Sequence, residues 1–76
     1  MAMCNLRILR NELYRDELYD LRVWDGQEFH SLGLESADEL LLRLKRMTFL
    51  DGSTPEQVYK TARKNGSAHA QIEWPD

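Results

Sequence analysis

The chain has 76 residues, a formal net charge of −3, 30% charged residues, 42% hydrophobic residues and one cysteine. A chain this short buries only about 60–65% of its unfolded surface, so we expect one domain, residues 1–76, with a thin core and little room for a deep pocket. One cysteine excludes an intrachain disulfide and favours a reducing compartment, so we expect a cytoplasmic protein. No histidine or cysteine has the spacing of a zinc site, and we expect neither a metal nor a cofactor. The lack of long apolar runs predicts that the protein does not contact a membrane.

The first predicted element is a strand, although the pattern of its apolar residues is ambiguous. Leu6 and Ile8 alternate with polar neighbours, as in a strand, whereas Leu6, Leu9 and Leu13 also fit the stripe of a helix. A turn signal after these residues favours a strand over about residues 5–13, and a helix is the alternative.

A hairpin follows. Tyr19, Leu21 and Val23 alternate with charged residues, and Asp25-Gly26 then signals a tight turn. A three-residue loop of Trp24-Asp25-Gly26 leaves one face apolar and puts opposite charges across the other. In that register the facing pairs are Val23 with Gln27, Leu21 with Phe29, Arg22 with Glu28, and Asp20 with His30. A two-residue loop would set Leu21 against His30, so we prefer the three-residue loop.

Two helices with matching start signals come next. Ser36 with Glu39, and Thr54 with Gln57, have the spacing of a capping box, which satisfies two amides that the helix itself leaves unpaired. The first helix is predicted over about residues 37–48 and the second over about residues 55–65, where Asn65-Gly66 ends it.

The last predicted element is a strand with one buried face. Its apolar residues alternate strictly with polar ones, the apolar set being Ala68, Ala70, Ile72 and Trp74. The element order is then β-β-β-α-α-β. We therefore expect an α+β fold, a small two-layer domain with a mostly antiparallel sheet and two helices packed on one face.

Charge is sorted along the chain, and the acidic part predicts a protein-binding surface. Residues 11–39 hold nine acidic residues and two arginines, whereas residues 40–66 hold six basic and two acidic residues. Acidic side chains beside exposed aromatic rings suit a basic partner surface, such as that of a nucleic-acid-binding complex. The predicted partner-binding residues are Glu12, Tyr14, Asp16, Glu17, Asp20, Trp24, Asp25 and Glu28.

In size, acidity and layout the chain resembles the small stand-alone inhibitors that phages encode, anti-CRISPR proteins among them. The resemblance is one of architecture, without a shared residue motif. It implies a non-enzymatic inhibitor or regulator that binds a protein and blocks its nucleic-acid site with an acidic surface.

The basic part of the chain supports an alternative function. Basic residues on the two helices would neutralise phosphates in a nucleic-acid-binding protein, the set being Arg43, Lys45, Arg46, Lys60, Arg63 and Lys64. Bases in the last turn of a helix also complement the helix dipole without any ligand, and this interpretation is the simpler one. A third possibility is self-association through a free edge of the sheet.

The sequence does not predict an enzyme. Cys4 has no histidine near it in sequence to activate a thiolate. His30 could act as a general base oriented by Asp20, but the chain lacks the cleft and substrate-binding groups that such chemistry requires. His30 is therefore interpreted as a member of a surface cross-strand pair.

Overall fold

A computed structural model describes residues 2–11 and 17–74. Its elements are β1 Ala2–Asn11, β2 Leu18–Trp24, β3 Phe29–Ser36, α1 Ala37–Lys45, β4 Thr48–Phe49, α2 Pro55–Asn65 and β5 Ser67–Trp74. The strands form one antiparallel sheet in the order β3-β2-β1-β5-β4. The predicted α+β class and the antiparallel sheet with two helices are confirmed. None of the helices in these two ranges is long and apolar enough to cross a membrane.

β1 settles the ambiguity of the N-terminal segment, because it is the central strand and not a helix. Leu6 lies between Val23 of β2 and Ala70 of β5, and all three side chains are buried. Because β1 pairs with a neighbour on each side, it lies in the middle of the sheet, and its side chains that face the helices are buried in the core. Residues 12 and 13 of the predicted strand lie outside the described residues.

The core lies between one face of the sheet and the two helices. Alternate residues of the three central strands are buried there, as the two-residue period predicts. Leu40 and Leu44 of α1 and Val58 and Ala62 of α2 cover them. The strand residues are Cys4, Leu6, Ile8, Tyr19, Leu21, Val23, Ala68, Ala70 and Ile72.

Both predicted helix starts are confirmed, with one difference in detail. At Thr54 the capping box is reciprocal. The Thr54 hydroxyl accepts from the backbone amide of Gln57, and the backbone amide of Thr54 donates to the side-chain oxygen of Gln57, each at 3.2 Å. At Ser36 the hydroxyl accepts from the Glu39 amide at 3.3 Å and donates to the Glu39 carboxylate. Ser36 is also the last residue of β3, so its backbone belongs to the sheet.

The first helix is shorter than predicted, and an extra strand follows it. The predicted helix ran to residue 48, but α1 ends at Lys45 and the chain then forms the two-residue strand β4 beside the end of β5. A two-residue strand has no period, so the pattern of the sequence could not predict it. The Asp51 carboxylate fixes this segment, because it accepts from the Gln71 amide at 3.0 Å and from the Ser53 amide at 3.0 Å.

The predicted hairpin register is wrong, and so is the two-residue alternative. The Asp25 carboxylate accepts from the amides of Gln27 and Glu28 at 2.8 and 2.9 Å, which makes a four-residue loop over residues 25–28. Trp24 therefore pairs with Phe29. Two further pairs precede a bulge, Val23 with His30 and Arg22 with Ser31. The pairs after the bulge are Leu21 with Gly33, Asp20 with Leu34, Tyr19 with Glu35 and Leu18 with Ser36.

The two edges of the sheet are unequal. β4 has only two residues, so the longer unpaired edge is β3. The bulge lies at Leu32 of β3, and the next residue, Gly33, has a φ of 91°. These two features interrupt the regular hydrogen-bond ladder that a strand of a second copy would need in order to pair with β3. Self-association through an edge stays a prediction.

Candidate functional site

The predicted acidic surface is only partly described, and three of its described acidic residues, Glu17, Asp20 and Asp25, contact basic side chains of the protein. Glu12, Tyr14 and Asp16 lie outside the described residues. Glu17 accepts from the Arg63 guanidinium at 3.0 Å and from the Tyr19 hydroxyl. The hydrogen bond from Tyr19 is the larger and the one from Arg63 the smaller of two causes that hold the pKa of Glu17 below its usual value. Glu17 therefore ties the start of β2 to α2.

Asp25 and His30 form a second internal pair, in the hairpin loop. His30 Nε2 lies 2.6 Å from the Asp25 carboxylate, so its partner is Asp25 and not the predicted Asp20. The hydrogen bond to His30, followed by those to the amides of Glu28 and Gln27, lowers the pKa of Asp25 to about 2. The same contact with Asp25 raises the pKa of His30.

This pair makes the stability of the hairpin depend on pH. The raised pKa of His30 means that its contribution is complete below pH 6.5 and is lost as the pH rises through the raised value. The lowered pKa of Asp25 means that its contribution is present above pH 3.8 and is lost as the pH falls toward about 2. We expect His30→Gln to reduce the melting temperature most between about pH 4 and pH 6.5.

Thermal melts of wild type and His30→Gln between about pH 3 and pH 9 measure this difference. His69→Gln, which removes an exposed imidazole from β5, is the matched control and should melt like wild type throughout. A difference between wild type and His30→Gln that stays constant over the whole range would contradict the ion pair.

Asp25, Glu28 and His30 also place one ligand atom each within 4.8 Å of one another. Two of the three already have roles in the loop, since Asp25 holds two backbone amides and His30 contacts Asp25. The loop conformation accounts for this cluster without an ion.

The basic residues of the helices divide into paired and exposed groups. Arg43 donates to the buried Glu35 carboxylate, with its Nε at 2.7 Å, and Arg63 binds Glu17. Both arginines lie in the last turns of their helices, as helix-dipole complementation predicts. The other members of the predicted nucleic-acid-binding set, Lys45, Arg46, Lys60 and Lys64, are exposed, and Arg63 is exposed as well as paired.

The other face of the sheet, which we call the open face, carries most of the candidate binding residues that the sequence reasoning did not single out. No helix of the described residues covers it, and it carries the residues that alternate with the core. Its exposed residues on β1, β2, β3 and β5 are Met3, Asn5, Arg7, Arg22, Phe29, Ser31, Leu34, His69 and Gln71. The strand period in β1 was the signal that could have found it, because Asn5 and Arg7 alternate with Leu6 and Ile8.

An aromatic pair stands at the hairpin end of the open face. Trp24 and Phe29 are cross-strand partners with ring centroids 4.8 Å apart and ring planes tilted by 53°. Trp24 is half-buried, and Phe29 is 52% exposed. A shallow depression of about 370 Å³ lies beside the two rings, and its other lining residues are Asn5, Leu6, Arg7 and His69. Trp24 thus lies on the open face, beside a ring that the predicted register had placed on the buried face.

A second depression lies between α1 and the sheet. Its volume is about 600 Å³, and its apolar lining consists of Leu32, Leu42, Met47 and Ile72. Carboxylates and guanidinium groups both surround it, from Glu35, Glu39, Glu73, Arg43 and Arg46. Charged groups of both signs do not select one class of ligand.

Comparison with protein families, with curated proteins and with solved structures found no match in any of the three. The candidate site is therefore defined by its geometry: a small α+β protein with one bare sheet face that carries an aromatic pair and exposed arginines.

Proposed function

We propose that the protein is a non-enzymatic protein-binding module, of the small inhibitor or regulator type, which docks through the open face of its sheet. The observation that carries the proposal is the Trp24–Phe29 pair, in which a half-exposed phenylalanine rests on a tryptophan on the bare side of the sheet. Burying Phe29 in the core would have been favourable, so its exposure is a cost that a partner surface would remove.

The composition of this surface supports binding to a protein. Aromatic and arginine side chains are the residues that most often dominate the energy of protein interfaces. Phe29 and Trp24 lie beside Arg7 and Arg22, on strands whose other face forms the core, so the backbone beneath them is held in place before binding.

The open face supports the proposal better than the acidic residues of the hairpin do. Glu17, Asp20 and Asp25 each have a basic side chain as a partner within the chain, namely Arg63, Arg22 and His30. Breaking such a pair to reach a basic partner would offset part of the binding energy. Glu28 is the acidic residue of this set that stands 72% exposed, and docking of the hairpin on a basic partner stays a prediction.

The experiment begins with capture of a partner from a nuclease-treated cell lysate, followed by titration of the purified partner against the protein. We expect Phe29→Ala to weaken binding about 30-fold, as is typical for an aromatic residue at the centre of an interface. Leu42→Ala is the matched control, because Leu42 is an exposed apolar residue of α1, on the helical side of the sheet, and should keep wild-type affinity.

Three further results would count against the proposal. Wild-type affinity in Phe29→Ala would exclude the aromatic pair as an anchor. Loss of binding in Glu28→Lys alone would move the site to the acidic hairpin. Recovery of only nuclease-sensitive material, with affinity that falls steeply as salt increases, would assign the function to nucleic-acid binding by the exposed bases Lys45, Arg46, Lys60 and Lys64.

A further inference from the structure

Three nitrogen-bearing side chains form a row across the middle of the open face. Arg7 of β1 lies directly opposite Arg22 of β2 on one side and His69 of β5 on the other. Neighbouring strands are about 4.8 Å apart, so the row spans about 10 Å. All three residues are exposed.

The arginine pair in this row, Arg7 opposite Arg22, is unfavourable for the isolated protein. Like charges directly opposite each other in an antiparallel pair destabilise a sheet. Arg22 has a partner, because the Asp20 carboxylate lies 3.1 Å from its guanidinium. No carboxylate among the described residues forms an ion pair with Arg7, which stands at the centre of the sheet. An anion placed over Arg7 would remove the repulsion within the row.

The depression beside the Trp24–Phe29 pair lies next to Arg7 and His69 of this row. Arg7 and His69 line it together with Trp24 and Phe29, so a group bound there meets a positive charge and an aromatic wall at once. We propose that the open face binds an acidic protein segment, with a carboxylate of the partner on Arg7 and an adjacent apolar side chain of the partner against Trp24 and Phe29. This inference rests on the proposed function and adds the chemistry of the partner.

A protein segment fits this surface better than a nucleic acid does. Binding to nucleic acid requires many phosphate contacts along a basic tract. On the open face the row is short and is bordered by two carboxylates, those of Asp20 on β2 and Glu73 on β5. Arg7, which has no carboxylate partner among the described residues, can hold a carboxylate of the partner while the aromatic pair holds an apolar group, but one arginine cannot follow a phosphate backbone.

The test uses NMR titrations of the full chain with defined probes. The probes are a peptide of about ten residues that alternates glutamate with leucine, its lysine-for-glutamate counterpart, and a thymidine oligonucleotide of similar length. We expect the acidic peptide to shift the amide signals of Arg7, Trp24, Phe29 and His69 in a saturable manner. The lysine peptide should leave these signals unchanged.

Two variants of Arg7 test the contribution of its charge, and a charge reversal on the helical side is their control. Arg7→Glu should weaken binding of the acidic peptide about tenfold or more, and Arg7→Gln should give an intermediate loss. Arg46→Glu makes the same charge change on the helical side and should have no effect. Equal binding of the acidic and lysine peptides, or an unchanged affinity in Arg7→Glu, would overturn the inference. Tighter binding of the oligonucleotide than of the acidic peptide at about 0.15 M salt would also overturn it.

Failure of this inference can be told apart from failure of the proposed function. If the captured partner is lost in Phe29→Ala but is bound normally by Arg7→Glu, the open face docks a protein whose contact is not acidic. If Phe29→Ala keeps its affinity for the partner, the open face is not the docking surface, and the proposed function fails first.

Discussion

Replacing Leu6 with alanine should remove most or all of the stability of the protein. Leu6 is fully buried in the central strand, between Val23 and Ala70, and its truncation to alanine would leave a cavity in the core. Leucine-to-alanine changes at such sites cost about 2–5 kcal/mol. A domain of this length has a stability of only roughly 3–5 kcal/mol, so we expect Leu6→Ala to be largely unfolded at 37 °C.

Urea denaturation followed by circular dichroism measures this loss. Leu42→Ala is the matched control, because it makes the same substitution at a leucine that is 59% exposed on α1. We expect the control to change the free energy of unfolding by less than about 0.5 kcal/mol. If the two variants unfolded at the same urea concentration, β1 would not be the centre of the core.

The second large effect is expected at the ion pair that joins β3 to α1. The Glu35 side chain is only 9% exposed, and the Arg43 guanidinium donates to its carboxylate. Arg43→Met would leave this carboxylate without its cationic partner, a loss of about 1–3 kcal/mol in the free energy of unfolding. Arg43 itself is 41% exposed, so solvent reaches the site and keeps the effect within that range.

A double variant tests whether the cost comes from the unpaired carboxylate. In Glu35→Leu/Arg43→Met both charges are gone, and the leucine can pack against the neighbouring core, so we expect most of the stability to return. Arg46→Met removes an exposed arginine nearby and should have little effect. If Arg43→Met were as stable as Arg46→Met, the ion pair would contribute nothing to the fold.

These stability effects bear on binding because the two faces of the sheet share one backbone. Arg7 lies between Leu6 and Ile8, and Trp24 follows Val23, so each of these two proposed binding residues is next to a core residue. Phe29 lies on the edge strand β3, which the Glu35–Arg43 pair links to α1. Variants at the open face should therefore be compared with wild type at a temperature where both are fully folded.

The start signals of both helices and the identity of the last strand could be predicted from the sequence. Ser36 and Thr54 cap helices that begin where the pattern indicated, and α2 ends at Gly66, whose φ is 83°. These features depend on contacts between residues within about one helical turn of each other. The alternation in β5 was equally reliable, because one buried face imposes a period of two whatever the strand pairs with.

The hairpin shows where such local reasoning fails. Both predicted registers assumed a short loop followed by regular pairing, whereas the Asp25 side chain closes a four-residue loop and a bulge then shifts the register. Side-chain hydrogen bonds to turn amides compete with standard hairpin turns, and the choice between them depends on the strands beyond. The error had a consequence for the site, because the predicted register placed Phe29 on the buried face.

The candidate site was less predictable than the fold. The sequence alone indicated that acidic and basic residues are concentrated in different parts of the chain, but it could not say which charges remain for a partner. That depends on pairs such as Glu17 with Arg63, which are 46 residues apart.

By itself, then, the sequence determined the α+β class, both helix starts and the strand periods, because short-range hydrogen bonds and burial of one face dictate them. The tertiary structure alone decided the place of β1 at the centre, the register of the hairpin and the existence of β4. It also decided which charged groups are paired and which lie exposed beside the Trp24–Phe29 pair. The strand order, the register and the ion pairs depend on residues that are far apart in sequence. These residues come into contact only when the sheet packs against the helices.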